Sequence, residues 1–234
     1  MRIGVLGSGN MADALATHWV RAGHEVLVGG RDEGRARGLA ARIGEGVGVG
    51  GGVRAGVGGG VGGGVRHGSL RAAAGFGEVV LAALPYGVGQ EVARELGAAL
   101  DAKVLIDCSN PVGPGFRLLT DGGPSAAQRL AAAAPGARVV KAFNLCHEDV
   151  WRMNPPVFDA RPLSVPLCGD DPAALALVRD LVRDVGCEPV TGGGLERAGL
   201  LEATAALFIG LWVGEGADAQ AIAPPLAYAT GLSP

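Results

Sequence analysis

Near its start the chain places Gly7, Ser8, Gly9, Asn10, Met11 and Ala12 between a short apolar run and an amphipathic one, and this arrangement constrains the fold more than any other feature. Ile3, Val5 and Leu6 read as a buried strand. Met11, Leu15 and Trp19, with Ala12 and Ala16 beside them, recur at helical spacing and make one apolar face. Gly23 sits where that helix should stop, because glycine enters a left-handed cap without penalty. Residues 25–29 (EVLVG) then read as a second strand. Strand, helix and strand in about thirty residues is the size of one βαβ unit. A G-x-G-x-x-A pattern at the strand-to-helix junction of such a unit is the context that gives a glycine fingerprint meaning. Gly7 would make the tight turn, Gly9 would let the backbone approach a pyrophosphate, and Ala12 would permit close packing of helix on strand. The helix start would offer free N–H groups and positive potential to phosphates. The competing reading is a glycine turn that binds nothing.

The same alternation returns downstream. Residues 79–84 (VVLAAL), 104–107 (VLID), 137–142 (ARVVKA) and 164–168 (SVPLC) are short apolar runs separated by helical stretches, and prolines at 85, 111 and 114 punctuate strand ends. Strands alternating with helices predict a mostly parallel sheet covered on both faces. The fold class expected is therefore α/β: a Rossmann-type, doubly wound, mostly parallel sheet with a C-terminal helical extension. Residues 1–145 would form the dinucleotide-binding domain. Residues 146–234 would form a βαβα extension packing on the same sheet, its helix capped by Asp170 or Asp171 with Pro172 in the first turn. A final helix near residues 196–213 would lie over the open edge of the site. Residues 43–65 are almost all Gly and Val and are expected to be a surface loop inserted into the first domain, because glycine pays the largest backbone entropy and offers nothing to pack.

The end of the second strand decides which dinucleotide fits. An NAD site usually carries an acid there for the ribose 2′-OH, whereas this chain has Gly30 and then Arg31, with Arg35 one turn on. A guanidinium can clamp a 2′-phosphate, so NADP(H) is the expected cofactor. The neighbouring Asp32 is the objection, since its charge would repel that phosphate unless it points away.

Composition excludes other classes. The formal net charge is −3, and no stretch gathers Lys and Arg, so no nucleic-acid partner is expected. Met1 and Arg2 lead straight into the first strand without the parts of a signal peptide, which predicts a cytoplasmic protein. The apolar run 198–213 is broken by Glu202 and is shorter than the ~20 residues a bilayer crossing needs. It reads as a buried helix, with no membrane contact. Cys108, Cys146, Cys168 and Cys187 are scattered, and the run Cys146, His147, Glu148, Asp149 points its side chains apart, so no metal site is expected. No Ser/His/Asp triad and no carboxylate pair stands out, which suits hydride transfer, where a cofactor carries the chemistry. Lys141 is the one basic side chain in the expected crevice. It is a candidate proton donor, against the commoner case of a strand lysine that only reaches the surface.

The segments GSGNMADALA, VLVGGRD, ALPYG, DCSNP, VVKAFN, LCGDDP and GGLERAGLLE together resemble the NADPH-dependent deazaflavin (coenzyme F420) reductases, whose relatives include pyrroline-5-carboxylate reductase and the nucleotide-binding domains of membrane ferric reductases. The resemblance spans nearly the whole chain except the Gly-rich insert. It implies that Ser8, Gly9, Asn10 and Met11 wrap the pyrophosphate, and that Gly30, Arg31 and Arg35 hold the 2′-phosphate. It further implies that Leu84, Pro85, Asn110, Pro111 and Ala142 flank the nicotinamide riboside. Asn144 follows the strand where family members place a polar residue beside the hydride acceptor, and stands where a deazaflavin-reducing relative carries His. Asn110 and Asn144 are neutral amides after two strand ends, suited to orienting a carbonyl or amide edge. The expected partner is a small-molecule acceptor, with deazaflavin ahead of a small metabolite reduced at a C=N or C=C bond. A non-catalytic NADP sensor is the reading from another class. The apolar C-terminal helix and the family both favour a homodimer.

Overall fold

In the computed structural model, residues 1–48, 54–55 and 64–222 are described. β1 (Arg2–Leu6), α1 (Asn10–Arg21) and β2 (Glu25–Gly29) make the first βαβ unit where the apolar periodicity predicts it. There follow α2 (Glu33–Gly46), a two-residue strand β3 (Arg54–Ala55), β4 (Val65–Gly68), α3 (Leu70–Phe76), β5 (Val79–Ala82), α4 (Val88–Leu96), β6 (Val104–Asp107), α5 (Ala126–Ala133) and β7 (Arg138–Lys141). The chain continues through α6 (Glu148–Arg152), a hairpin of β8 (Val157–Phe158) and β9 (Arg161–Pro162), then β10 (Ser164–Gly169), α7 (Pro172–Asp184), β11 (Glu188–Gly193) and α8 (Ala198–Ile209).

One nine-stranded sheet has the order β11-β10-β7-β6-β5-β1-β2-β4-β3. From β3 to β7 every neighbouring pair is parallel. β10 joins β7 antiparallel through Cys168 and Gly169, and β11 runs parallel to β10, so the last two strands extend the sheet in the opposite sense. The chain moves outward from β1 through β2 and β4, then returns to β5 on the other side of β1. That reversal leaves a crevice beyond the C-terminal ends of β1 and β5, the place where open α/β sheets bind ligands.

Both faces of the sheet are covered, as a doubly wound Rossmann fold requires. On one face Leu15 and Trp19 of α1, Leu39 of α2 and Leu181 of α7 pack on Ile3, Val5, Val79 and Ile106. On the other, Ala73 and Ala74 of α3, Leu96 of α4, Leu130 of α5 and Ala198 of α8 pack on Leu6, Val80 and Leu105. Central strands buried on both sides read as continuous apolar runs, which is why they stand out in the sequence.

Two expectations are corrected. The insert does not begin at Ile43 or end at Val65: Ile43 is buried inside α2, and Val65 is buried where it opens β4. Residues 49–53 and 56–63 of that insert lie outside the described residues. The C-terminal helix is not simply buried either. Counting its flanking turns it runs from Leu195 to Glu215, 21 residues of mean hydropathy 1.3, long and apolar enough to cross a bilayer by length and composition. Leu200 and Leu207 are each 56% exposed and Val213 71%, while Glu202, which interrupts the apolar run, is fully buried.

Candidate functional site

At the end of β1 the chain must turn sharply into α1, and Gly7 does this with φ of +117°. Its N–H donates to Gly29 O at 2.8 Å, and a side chain there would run into the Ala83 carbonyl. Gly9 is the N-cap of α1 and supplies no side-chain cap. Nothing lies within 4 Å of where a Gly9 Cβ would stand. The helix therefore begins in an open cradle, its first N–H groups free of intrahelical partners, and such a cradle binds anions. Ser8 and Met11 are half-buried at its edge, and Asn10 donates from its side chain to Glu148 Oε1 at 2.7 Å.

At the end of β2, Gly30 faces Ser8: a Cβ placed on it would stand 3.7 Å from Ser8 Oγ. Arg31 is exposed, and among the described residues no ion pair is recorded for it. Asp32 caps α2 by accepting from Arg35 N at 3.1 Å, and its other oxygen lies 3.6 Å from Arg35 Nε. The carboxylate is thus engaged by its own helix, which meets the objection that it would repel a phosphate. The same contact draws the Arg35 guanidinium to Asp32, although its side chain is 81% exposed and can swing out.

On the other side of the crevice, Leu84 and Pro85 follow β5, the leucine half-buried and the proline exposed. They share the lining of a small cavity with Tyr86, Gln90, Asp107 and Ser109, and the buried Gln90 Oε1 has no hydrogen-bond partner among the described residues. Pro111 is buried beside Asn110. Ala142 is fully buried, with its N–H on Asp107 O at 3.1 Å, so it supports this edge from within the core.

The amides behave differently from the sequence reading. Asn110 donates to Asn144 O at 2.6 Å, and Asn144 donates back to Asn110 Oδ1 at 2.9 Å and to Leu201 O at 3.1 Å. Both follow strand ends as expected, but Asn144 is 3% exposed and both its N–H groups are used inside the protein. It clamps two loops to α8 and has no donor left for an acceptor.

Lys141 is corrected in the same way. It is fully buried, with Nζ 2.9 Å from Asp107 Oδ2 and 2.9 Å from Glu202 Oε1, and it also donates to Ser109 O. Burial alone would pull its pKa down, but the adjacent charges of Asp107 and Glu202 outweigh that and hold it above the ordinary lysine range. A lysine with three acceptors and a raised pKa is a poor proton donor. Asp107 also accepts from Ser109 N at 2.9 Å and Ser109 Oγ at 2.7 Å, and Glu202 accepts from Ala126 N at 2.9 Å and Ala127 N at 3.3 Å at the start of α5. This buried network was missed because its two carboxylates are far apart in sequence. The available signal was Glu202 itself, since a carboxylate inside an apolar helix demands a buried partner.

The cysteines are all free, and burial pushes Cys108 and Cys187 up to about 12 and Cys146 up to about 11, far from thiolate chemistry. Among the described residues no group of three or more His, Cys, Asp or Glu side chains is arranged to hold a metal.

Residues 2–111 match the family described as NADP oxidoreductase, coenzyme F420-dependent. The resemblance read from the motifs holds over this stretch. The chain is 30% identical to the F420-dependent NADP reductase of Methanocaldococcus jannaschii over 146 residues, which is 59% of this chain and 64% of that protein. It is 28% identical to the Metalloreductase STEAP3 of Rattus norvegicus over 211 residues, 90% of this chain and 38% of the relative. It therefore spans less than two thirds of either. Among solved structures, a putative F420-dependent NADP-reductase from Arthrobacter sp. FB24 superposes with a TM-score of 0.69 at 22% identity, covering 92% of this chain and 95% of that one. An imine reductase from Myxococcus stipitatus in complex with NADP+ superposes with a TM-score of 0.64 at 17% identity, covering 92% and 63%. At these identities the structures share the fold.

Proposed function

We propose that this chain is an NADP(H)-dependent oxidoreductase that moves hydride between NADPH and a small organic acceptor, with a deazaflavin of the coenzyme F420 type as that acceptor. The observation that carries the cofactor is the open cradle at Gly9 together with an exposed Arg31 at the end of β2, where an NAD site would carry an acid. The residues fit the group. The first N–H groups of α1 would take the pyrophosphate, and Arg31, joined by Arg35 on release from Asp32, would take the 2′-phosphate. Leu84, Pro85 and residues 109–111 would border the nicotinamide. When bound, the nicotinamide supplies the hydride, and the protein's share is to bind, orient and exclude water.

Support for deazaflavin comes from the family description and the archaeal relative's name. With Asn144 and Lys141 turned inward, no side chain among the described residues singles out an amide-bearing acceptor over an imine. The test has two stages. Fluorescence titration should show NADPH bound more tightly than NADH, and Arg31→Ala should remove about 2 kcal/mol of that preference, roughly thirtyfold, for a lost charge-assisted contact. Equal affinities in the unaltered protein would overturn the cofactor. NADPH oxidation with deazaflavin and with cyclic imines side by side then decides the acceptor, and turnover of the imine alone would overturn deazaflavin.

A further inference from the structure

Ser109 is held on every polar atom it has. Its N–H and Oγ bind Asp107, and its carbonyl accepts from Lys141. Its neighbour Asn110 is held by Asn144. Each of these contacts leads back to two consecutive residues of α8, because Lys141 is shared with Glu202 and Asn144 donates to Leu201 O. Lys141 has three N–H donors for three acceptors, so its position is the point where the three pulls balance. All three charged groups are almost wholly buried, Lys141 and Glu202 at 0% side-chain exposure and Asp107 at 3%. So deep in the protein, charge attraction is stronger than at the surface and an unpaired charge is costly. Two carboxylates facing one ammonium would leave an excess negative charge, but the N–H groups opening α5 neutralise part of it by donating to Glu202. The network is complete, so its geometry is sharply defined.

We propose that Glu202 of α8 is a positioning residue: through Lys141 and Asp107 it fixes residues 109–111 against the nicotinamide half of the bound dinucleotide. The inference rests on the proposed NADP(H) site and extends it to a residue outside the crevice. The adenosine half should be indifferent to Glu202, because Arg31 and the Gly9 cradle lie at the ends of β2 and β1, on the other side of the crevice.

The test separates these two halves by binding NADPH and, in parallel, 2′,5′-ADP, which keeps the 2′-phosphate and lacks nicotinamide. Glu202→Gln retains an acceptor for one of the two α5 N–H groups while removing the charge that holds Lys141. Glu202→Asp keeps the charge and draws it back by one methylene. In either folded variant NADPH should bind roughly tenfold more weakly, while 2′,5′-ADP affinity stays within about twofold of the unaltered protein, the pattern of a misaligned half-site. The fluorescence of bound NADPH should also shift toward that of the free cofactor. Equal weakening of both ligands would show a merely structural role and overturn the proposal. So would unchanged affinity for both. If the unaltered protein binds neither ligand, the NADP(H) reading itself fails and this inference falls with it, an outcome distinct from the other two.

Discussion

An amide side chain has two N–H groups, and Asn144 spends both on atoms of its own chain, Asn110 Oδ1 and Leu201 O. Replacing it with alanine would leave a buried backbone carbonyl and the Asn110 amide short of partners. Each unsatisfied buried group costs about 1–3 kcal/mol, so Asn144→Ala should destabilise the protein by roughly 2–4 kcal/mol. Chemical denaturation measures this directly. An unchanged midpoint accompanied by lost turnover would instead return Asn144 to the acceptor. The sequence places Asn110 and Asn144 at strand ends, but not their directions. Their pairing spans 34 residues and depends on β6 and β7 lying side by side, which no local pattern encodes. Lys141 is the same case: VVKAFN shows a lysine in an apolar strand, while the two carboxylates that make its burial tolerable come from β6 and α8. The turn at Gly7 and the place of Gly9 at the start of α1 were legible because both follow from backbone conformation and local sequence.

Between elements, the contact of α1 with α6 ties the helix that follows the Gly7–Gly9 turn to the chain beyond β7. Phe143 packs edge-on between Trp19 and Trp151, with ring centroids 6.2 Å and 5.5 Å away. Arg152 of α6 reaches Asp13 of α1 at 3.4 Å, and Glu148 accepts from Asn10. The run Cys146 to Asp149, which looks chemically rich in sequence, thus serves to start α6, where His147 is the N-cap. Short helices of this kind carry too few apolar repeats to show periodicity. His18 of α1 is buried beneath α6 with Nε2 2.8 Å from Trp151 O. Burial lowers its pKa from 6.5, against the partial support of that carbonyl. A histidine depressed in the folded state stabilises it fully above the unfolded value, and that contribution is lost as pH falls through 6.5 toward the folded value. Urea midpoints should therefore drop between pH 7.5 and 5.5 more in the unaltered protein than in His18→Gln, whose amide can still donate to Trp151 O but does not titrate. Parallel pH dependence in the two proteins would remove His18 from the acid response.

For the molecule as a whole, the alternation of strands and helices predicts the doubly wound sheet, but not the direction of its far edge. Apolar runs such as SVPLC look alike whichever way a strand points, and the reversal at β10 is made by the segment containing α6 and the β8–β9 hairpin, which shows little periodicity of its own. The exposed side of α8 was misjudged for a related reason: composition marks a segment as apolar but does not say which of its faces is covered. The insert after α2 is the remaining test of organisation. A Cβ built on Gly44 of α2 would stand 3.4 Å from Val65 Cγ1, so the chain leaves α2 close to where it re-enters at β4. A short linker should therefore close the gap. Replacing residues 49–63 by four glycines, with Ile43 and Val65 left in place, changes loop-closure entropy by only about 1 kcal/mol, and in the favourable direction. Loss of the brief β3 pairing with β4 through Arg54 and Ala55 opposes this gain. The thermal midpoint should move by no more than a few degrees, and NADPH affinity should stay within about twofold, since neither the Gly9 cradle nor Arg31 is touched. A folded variant that loses NADPH while retaining the midpoint would show that the insert reaches the adenosine end of the site beside β2 and β4.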